Sequence, residues 1–330
     1  MTTATDRFAK RSFTRIAAAL FTVVIFVTRV CAAELQSSPE FPDELVHFEP
    51  LSTNIVFSGT GTDTWDQKIR ERSWIVRDGD SWRMWYNGYN PSRTPTHFLG
   101  YATSDDGLLW KRSGDESIYD KGWIEDICIV KDAGTFYMFS EGRDDIAHLL
   151  KSKNGKHWEA QGNLDIRNVD GTPIKPGPYG TPTVFVENGV WNLFYERDDA
   201  AVWLARSKDL KIWTNVQDEP VLKRGPEEYD KFAVACNQVI KHQGRYYAYY
   251  HASAKEKWTE WSTCLAVSSD LQHWKKFSGN PILPVNPDDP KRSSAFLVYD
   301  GKRFRLYAAH PNVKVFVSRK QEIPPNKTHN

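Results

Sequence analysis

Glu71, Asp126, Glu141 and Glu196 are the residues of this chain whose types and spacing best suit chemistry. Five glycine-led aromatic segments begin at Gly79, Gly134, Gly189, Gly244 and Gly301. Eight residues ahead of these glycines stand Glu71, Asp126, Thr181, Cys236 and Ser293; seven residues after them stand Tyr86, Glu141, Glu196, His251 and Ala308. Acids therefore recur at equal offsets. Burying them on apolar strands is unfavourable unless they are partnered or used. Grouped carboxyls suit cleavage of a glycosidic bond, where one protonates the leaving oxygen and another activates water or attacks the anomeric carbon.

Around this set, Arg72, Arg143 and Arg197 could tune the carboxyls, or hold a phosphate or an acidic substituent on a sugar. The competing reading pairs the acids with those arginines in a structural ring. Asp66 is an alternate for the first carboxylate, and His251 for the proton donor. Glu125, Glu141, Arg72, Trp74, Arg197 and His251 are expected to contact substrate, and Asp230 and His310 are weaker candidates. Trp65, Trp74 and Trp123 lie outside the repeated motifs and are expected to stack on sugar, whereas Trp110, Trp158, Trp213 and Trp274 recur with the repeat and are expected to pack.

The elements that position these residues follow from the repeat. The leading glycines are 55, 55, 55 and 57 residues apart. A second motif, a serine followed by Asp or Asn two residues on and a tryptophan six residues on, spans 104–110, 152–158, 207–213 and 268–274. Aromatic and β-branched residues alternate between turn signals, and no helical period persists. The expected fold is all-β: a five-bladed β-propeller with four antiparallel strands per blade. Blades are expected near 65–112, 120–160, 175–215, 228–277 and 290–320, within a single domain over 34–330. Residues 45–57 are expected to supply the closing strand.

Composition narrows the class. The 330 residues include 13 tryptophans and 13% aromatics, with 43 basic against 42 acidic residues, which argues against disorder and against a nucleic-acid partner. Residues 1–33 read as an export signal: Arg7, Lys10, Arg11 and Arg15 precede an apolar run ending at Val27, and small residues precede Glu34. Its removal leaves 38 basic and 41 acidic residues, a formal charge of −3. The expected location is secreted or periplasmic, with no membrane association after cleavage. Cys128, Cys236 and Cys264 are expected to be buried thiols. No metal or cofactor is called for; an axial calcium would be compatible with an acidic funnel but is not expected. The glycine run 58–62 precedes no helix, so it is not a phosphate loop.

The segments LGYATSDDGLLW (99–110), FYER (194–197), LARSKDLKIW (204–213) and HWKKFSGNPI (273–282) resemble the five-bladed glycoside hydrolases related to families 43, 32 and 117. Nearest in pattern are uncharacterised exported bacterial glycosyl hydrolase-like proteins. The resemblance covers residues 50–320 and implies an exported enzyme acting on a poly- or oligosaccharide. It implies an inner-strand aspartate on blade 1, another on blade 2 and a glutamate on blade 3. Asp126, in EDICIV (125–130), matches the second, whose role is to tune pKa and orientation. The first position falls in ERS (71–73), making Glu71 the base or nucleophile, with Asp66 in WD (65–66) competing. The third falls in YGTPT (179–183), which has no glutamate, so Glu196 or His251 would donate the proton. The alternatives are a non-catalytic glycan-binding propeller and a phosphate-dependent phosphorylase.

Overall fold

The computed structural model describes residues 39–319. The expected export signal, 1–33, lies outside them. Five sheets form the five blades, each running from an inner strand to an outer one, and all their pairings are antiparallel except that of Asp165–Arg167 with Ile212–Asn215. The inner strands are Trp74–Asp78, Glu125–Asp132, Gly180–Glu187, Ala233–His242 and Ala295–Tyr299. The second strands are Ser81–Asn90, Thr135–Glu141, Val190–Arg197, Arg245–Ser253 and Phe304–Ala309.

Tight turns join inner to second strands. The leading glycines of the repeat all have positive φ, from 66° at Gly79 to 94° at Gly301. Three are preceded by another left-handed residue, Ala133, Asn188 or Gln243. Two successive positive φ values match the right-handed twist of a β-hairpin, which is why glycine recurs there.

The serine-led motif builds the next corner. Ser104 Oγ accepts the amides of Asp106 and Gly107, Asp106 accepts those of Leu108 and Leu109, and Trp110 Nε1 donates to the Gly107 carbonyl. The same corner then bonds the neighbouring blade, as Tyr307 donates to Gly107 and Trp85 Nε1 to Gly155. Closing tryptophans pack across blade boundaries: Trp158 on Trp85, Trp213 on Phe139 and Trp274 on Phe194, with centroids 5.7–6.4 Å apart. The motif is thus a packing device.

The ring closes with the first of the described strands. Phe48–Phe57 pairs antiparallel with Val313–Ser318 and becomes the outer strand of blade 5. The expected closing segment 45–57 is one turn shorter as a strand, because Asp43–Val46 is helical and buries Leu45 and Val46. Closure removes the exposed edges that an open sheet would carry. Cys128, Cys236 and Cys264 are free and buried. Among the described residues, no helix is long and apolar enough to cross a membrane.

Candidate functional site

Blade 2 and 3 inner strands are irregular where they start. The ladder shifts register between Glu125 and Cys128 and between Gly180 and Thr183. Asp126 and Thr181 take φ values of 46° and 42° there. These bulges re-aim the side chains at the strand starts. The second strands end beside them, since Glu141 pairs with Glu125, Glu196 with Gly180 and His251 with Ala235.

Together these ends line a funnel of about 760 Å³. Of the expected residues, Glu71, Asp126, Glu196, Glu125, Glu141 and His251 all line it, as do His310 and Trp123. Arg70 Nε bridges Glu71 Oε1 at 3.1 Å and Glu125 Oε1 at 2.8 Å. Glu125 is further held by His97 Nδ1 at 3.0 Å and by the Trp123 indole N–H at 2.9 Å. Glu141 Oε2 accepts the Thr181 amide at 2.7 Å. Glu196 accepts the amides of Gly180 at 3.2 Å and Asp199 at 2.6 Å. Gly180 is the spacer between the two glutamates, because a Cβ there would stand 2.2 Å from Glu141 Oε2 and 2.7 Å from Glu196 Oε1.

Burial and charge drive these carboxyls apart. Burial alone would raise Glu71, but His310, Arg70 and His251 outweigh it and hold the carboxyl at about 2. Asp126 is pushed well above the carboxylate range by burial and by Glu71, to which it hydrogen-bonds. Glu141 rises for burial and for the neighbouring acids Asp126, Glu125 and Glu196. Glu196 is raised to about 7, chiefly by burial, with Asp145 and Asp198 adding to it and the amides of Asp199 and Gly180 opposing it. Burial lowers His251 to about 3 and His310 to about 4, so both are neutral at pH 7. His251 Nδ1 donates to Asn237 Oδ1 at 2.8 Å. One carboxylate is therefore kept ionised beside carboxyls that keep protons, the division of labour that acid–base chemistry requires.

Seven expected residues lie elsewhere. Arg72 is fully buried and lines no part of the funnel. In place of the expected substrate contact, its guanidinium donates to Thr183 Oγ1 and to the carbonyls of Asp126, Pro182, Cys236 and Asn237 at 2.6–3.0 Å. Arg197 bonds the carbonyls of Lys175, Pro176 and Pro178. Trp74 is buried and stacks on Phe296 at 5.3 Å. Asp66 is buried between Tyr86, Arg112 and Thr64, which fixes the loop ahead of blade 1. Asp230 pairs with Lys276 at 2.5 Å, and Trp65 stacks on Tyr86. Arg143 stands over Trp123 outside the funnel lining.

Sequence reading passed over several lining residues: Arg70, Tyr89, Asp145, Asp199, Lys291 and Trp261 among them. A signal existed for the aspartates. Glu141 is followed by the pair Asp144–Asp145, and Glu196 by Asp198–Asp199, and all four aspartates have left-handed φ. Asp199 is raised well above its usual value by burial and by Glu196, which makes it a further proton holder. Among the described residues, no group of three or more His, Cys, Asp or Glu is arranged to hold a metal ion.

No protein-family model matches the chain. Two curated proteins of Mycobacterium tuberculosis, both uncharacterised, from strains CDC 1551 / Oshkosh and ATCC 25618 / H37Rv, are each 24% identical over 195 residues. The match covers 53% of this chain and 64% of those proteins, so it spans less than two thirds of their length. A glycosyl hydrolase from Bacteroides ovatus superposes with a TM-score of 0.67 at 18% identity, over 82% of this chain and 93% of that one. A structure from the GH130 family of mannoside phosphorylases, which contains hydrolases targeting β-1,2-mannosidic linkages in Candida mannan, gives 0.65 at 17% identity over 82% and 92%. The β-1,2-mannobiose phosphorylase of Listeria innocua gives 0.63 at 14% identity over 82% and 95%. The fold of this chain is that of the glycoside hydrolase-like five-bladed propellers.

Proposed function

We propose that the funnel cleaves a glycosidic bond in a poly- or oligosaccharide by carboxylate acid–base chemistry. The observation that carries this reading is the contrast within one funnel between Glu71, held ionised at about 2, and Glu196, poised at about 7. Glu196 gives its proton to the leaving oxygen. Glu71 either takes a proton from the attacking water or attacks the anomeric carbon itself. Asp126 keeps its own proton and hydrogen-bonds Glu71, fixing the orientation of that carboxylate. Tyr89, Trp123, Trp258 and Trp261 offer the aromatic faces on which a sugar ring stacks.

Release of reducing sugar from a glycan panel tests the proposal. Wild type should turn over at least one glycan, and Glu71→Gln and Glu196→Gln should each abolish turnover. Variants as active as wild type would sink the assignment. Binding without turnover would leave a glycan-binding propeller.

The second reading is transfer to phosphate, supported by the fold likeness to proteins described as mannoside phosphorylases. The arginines expected to receive phosphate, Arg72, Arg143 and Arg197, do not line the funnel. Turnover that requires inorganic phosphate and yields a sugar phosphate would favour this reading over hydrolysis. Export through residues 1–33 is part of the same proposal, and N-terminal sequencing of protein from the medium or periplasm checks it.

A further inference from the structure

Trp123 belongs to two cavities. Its indole lines the funnel and also a second cleft of about 710 Å³, which residues of blades 1 and 2 line together. The ring is well anchored, since its N–H is taken by Glu125 Oε2 and the His97 ring packs 4.3 Å away, centroid to centroid. Above it stands the Arg143 guanidinium, 5.4 Å from the indole centroid. Arg143 is exposed and, among the described residues, has no hydrogen-bond or ion-pair partner. Five donors on one side of an aromatic ring are thus left uncommitted.

The rest of the cleft mixes apolar residues, Phe98, Tyr119 and Ile146, with polar ones, and is balanced in charge. Lys121 and Arg143 are matched by Asp120 and Asp144, so the cleft carries no net charge at neutral pH. Such a lining suits many hydroxyls better than a polyanion. Gly122, Gly142 and Gly162 leave parts of its wall as bare backbone.

We propose that this cleft is a distal sugar subsite, into which a glycan leaving the funnel between blades 1 and 2 places a further ring. The inference rests on the reading of the funnel as a glycan site. Trp123 is the shared wall: one sugar packs on its funnel side, and the next lies on its cleft side. Arg143 swings off the indole to hydrogen-bond that sugar's hydroxyls, as exposed side chains change rotamer freely. The preferred substrate is then a chain longer than a disaccharide, running outward over blades 1 and 2.

Titration calorimetry on the full chain carrying Glu71→Gln, which removes turnover, tests the idea. The probes are manno-, xylo-, arabino- and galacturono-oligosaccharides, each from dimer to hexamer. Affinity should climb with length on at least one neutral ladder. Adding Arg143→Ala, or Asn163→Trp to fill the cleft, should erase that increment, about tenfold on the longest oligomers, while dimer binding changes by less than about twofold. A flat length series, no binding on any ladder, or equal weakening of dimer and hexamer by Arg143→Ala overturns the subsite. Hydrolysis is scored separately with wild type. Length-dependent binding without turnover keeps the subsite and rejects the hydrolase reading; turnover with a flat series does the reverse.

Discussion

Replacing Arg72 by methionine should cripple folding, although Arg72 itself does not line the funnel and meets only one lining side chain, Asp126, whose Oδ1 lies 3.8 Å from its Nε. Arg72 is fully buried. Its five hydrogen bonds reach Asp126 in blade 2, Pro182 and Thr183 in blade 3, and Cys236 and Asn237 in blade 4. A single guanidinium therefore ties together the inner strands of three blades from the start of blade 1. Methionine fills a similar volume but supplies no donor. Hydrogen bonds to charged groups are worth about 1.5–3 kcal/mol each, which for five would be about 7.5–15 kcal/mol. Two effects reduce that figure. The cation no longer has to be desolvated, and the Cys236 carbonyl keeps its bond from Thr183 Oγ1 at 2.7 Å. A net loss of about 3–5 kcal/mol is expected, as when one partner of a buried charged pair is removed. That is a large share of the roughly 5–15 kcal/mol that holds a typical domain folded. Arg72→Lys keeps the charge but not the planar fork, so it should recover less than half of the loss. Urea titration followed by tryptophan fluorescence and circular dichroism measures both variants. A loss below about 1 kcal/mol for Arg72→Met would show that desolvation cancels the hydrogen bonds, and would refute the reasoning.

Three further outcomes follow from the funnel. Glu196 is raised from 4.5 to about 7, so its native-state proton stabilises fully below 4.5 and that stability is lost as pH rises through 7. Between pH 4.5 and 7 this removes on the order of 3 kcal/mol, which Glu196→Gln should abolish in melts run against pH; turnover should fall above pH 7 on the same group. Gly180→Ala places a methyl 2.2 Å from Glu141 Oε2, so it should cost about 1–3 kcal/mol and displace both glutamates, seen as lost activity and a shifted melt. Asp126→Asn should melt close to wild type, because asparagine tolerates the left-handed φ of 46°, whereas Asp126→Ala should lose about 1–2 kcal/mol; both should lower turnover.

The fold was legible because its signals are backbone requirements that repeat. Gly79, Gly134, Gly189, Gly244 and Gly301 recur since each turn needs a positive φ. The serine-led corners recur since each bonds its own backbone, and the closing tryptophans of three of them pack on the preceding blade. The acids could be grouped by the same arithmetic, because equal offsets in a propeller mean equal depth. Direction could not be read in that way. Successive side chains on extended backbone face opposite ways, so an error of one residue exchanges inside for outside. Glu71 and Arg72 show the consequence: Glu71 lines the funnel, while Arg72, one residue on, is sealed among carbonyls.

Loops hid the remainder. Trp258, Trp261 and Lys291 reach the funnel from segments outside the repeated motifs, where no offset applies. The aspartate pairs after Glu141 and Glu196 did repeat, but with a one-residue difference in spacing that obscures the correspondence. That pattern has a physical reason. Strand ends at the funnel need left-handed residues to reverse the chain, and aspartate is among the few non-glycine types that accept that conformation. The same residue that makes the turn also delivers a carboxyl to the funnel, where burial raises it, as Asp199 illustrates. Turn chemistry and proton-holding chemistry thus converge on one residue type. An acidic funnel can therefore arise wherever blades turn on aspartate, and what distinguishes a reactive one is a carboxylate kept ionised in its midst. Here that carboxylate is Glu71, paired with the Arg70 guanidinium and flanked by two histidines that burial keeps neutral at pH 7.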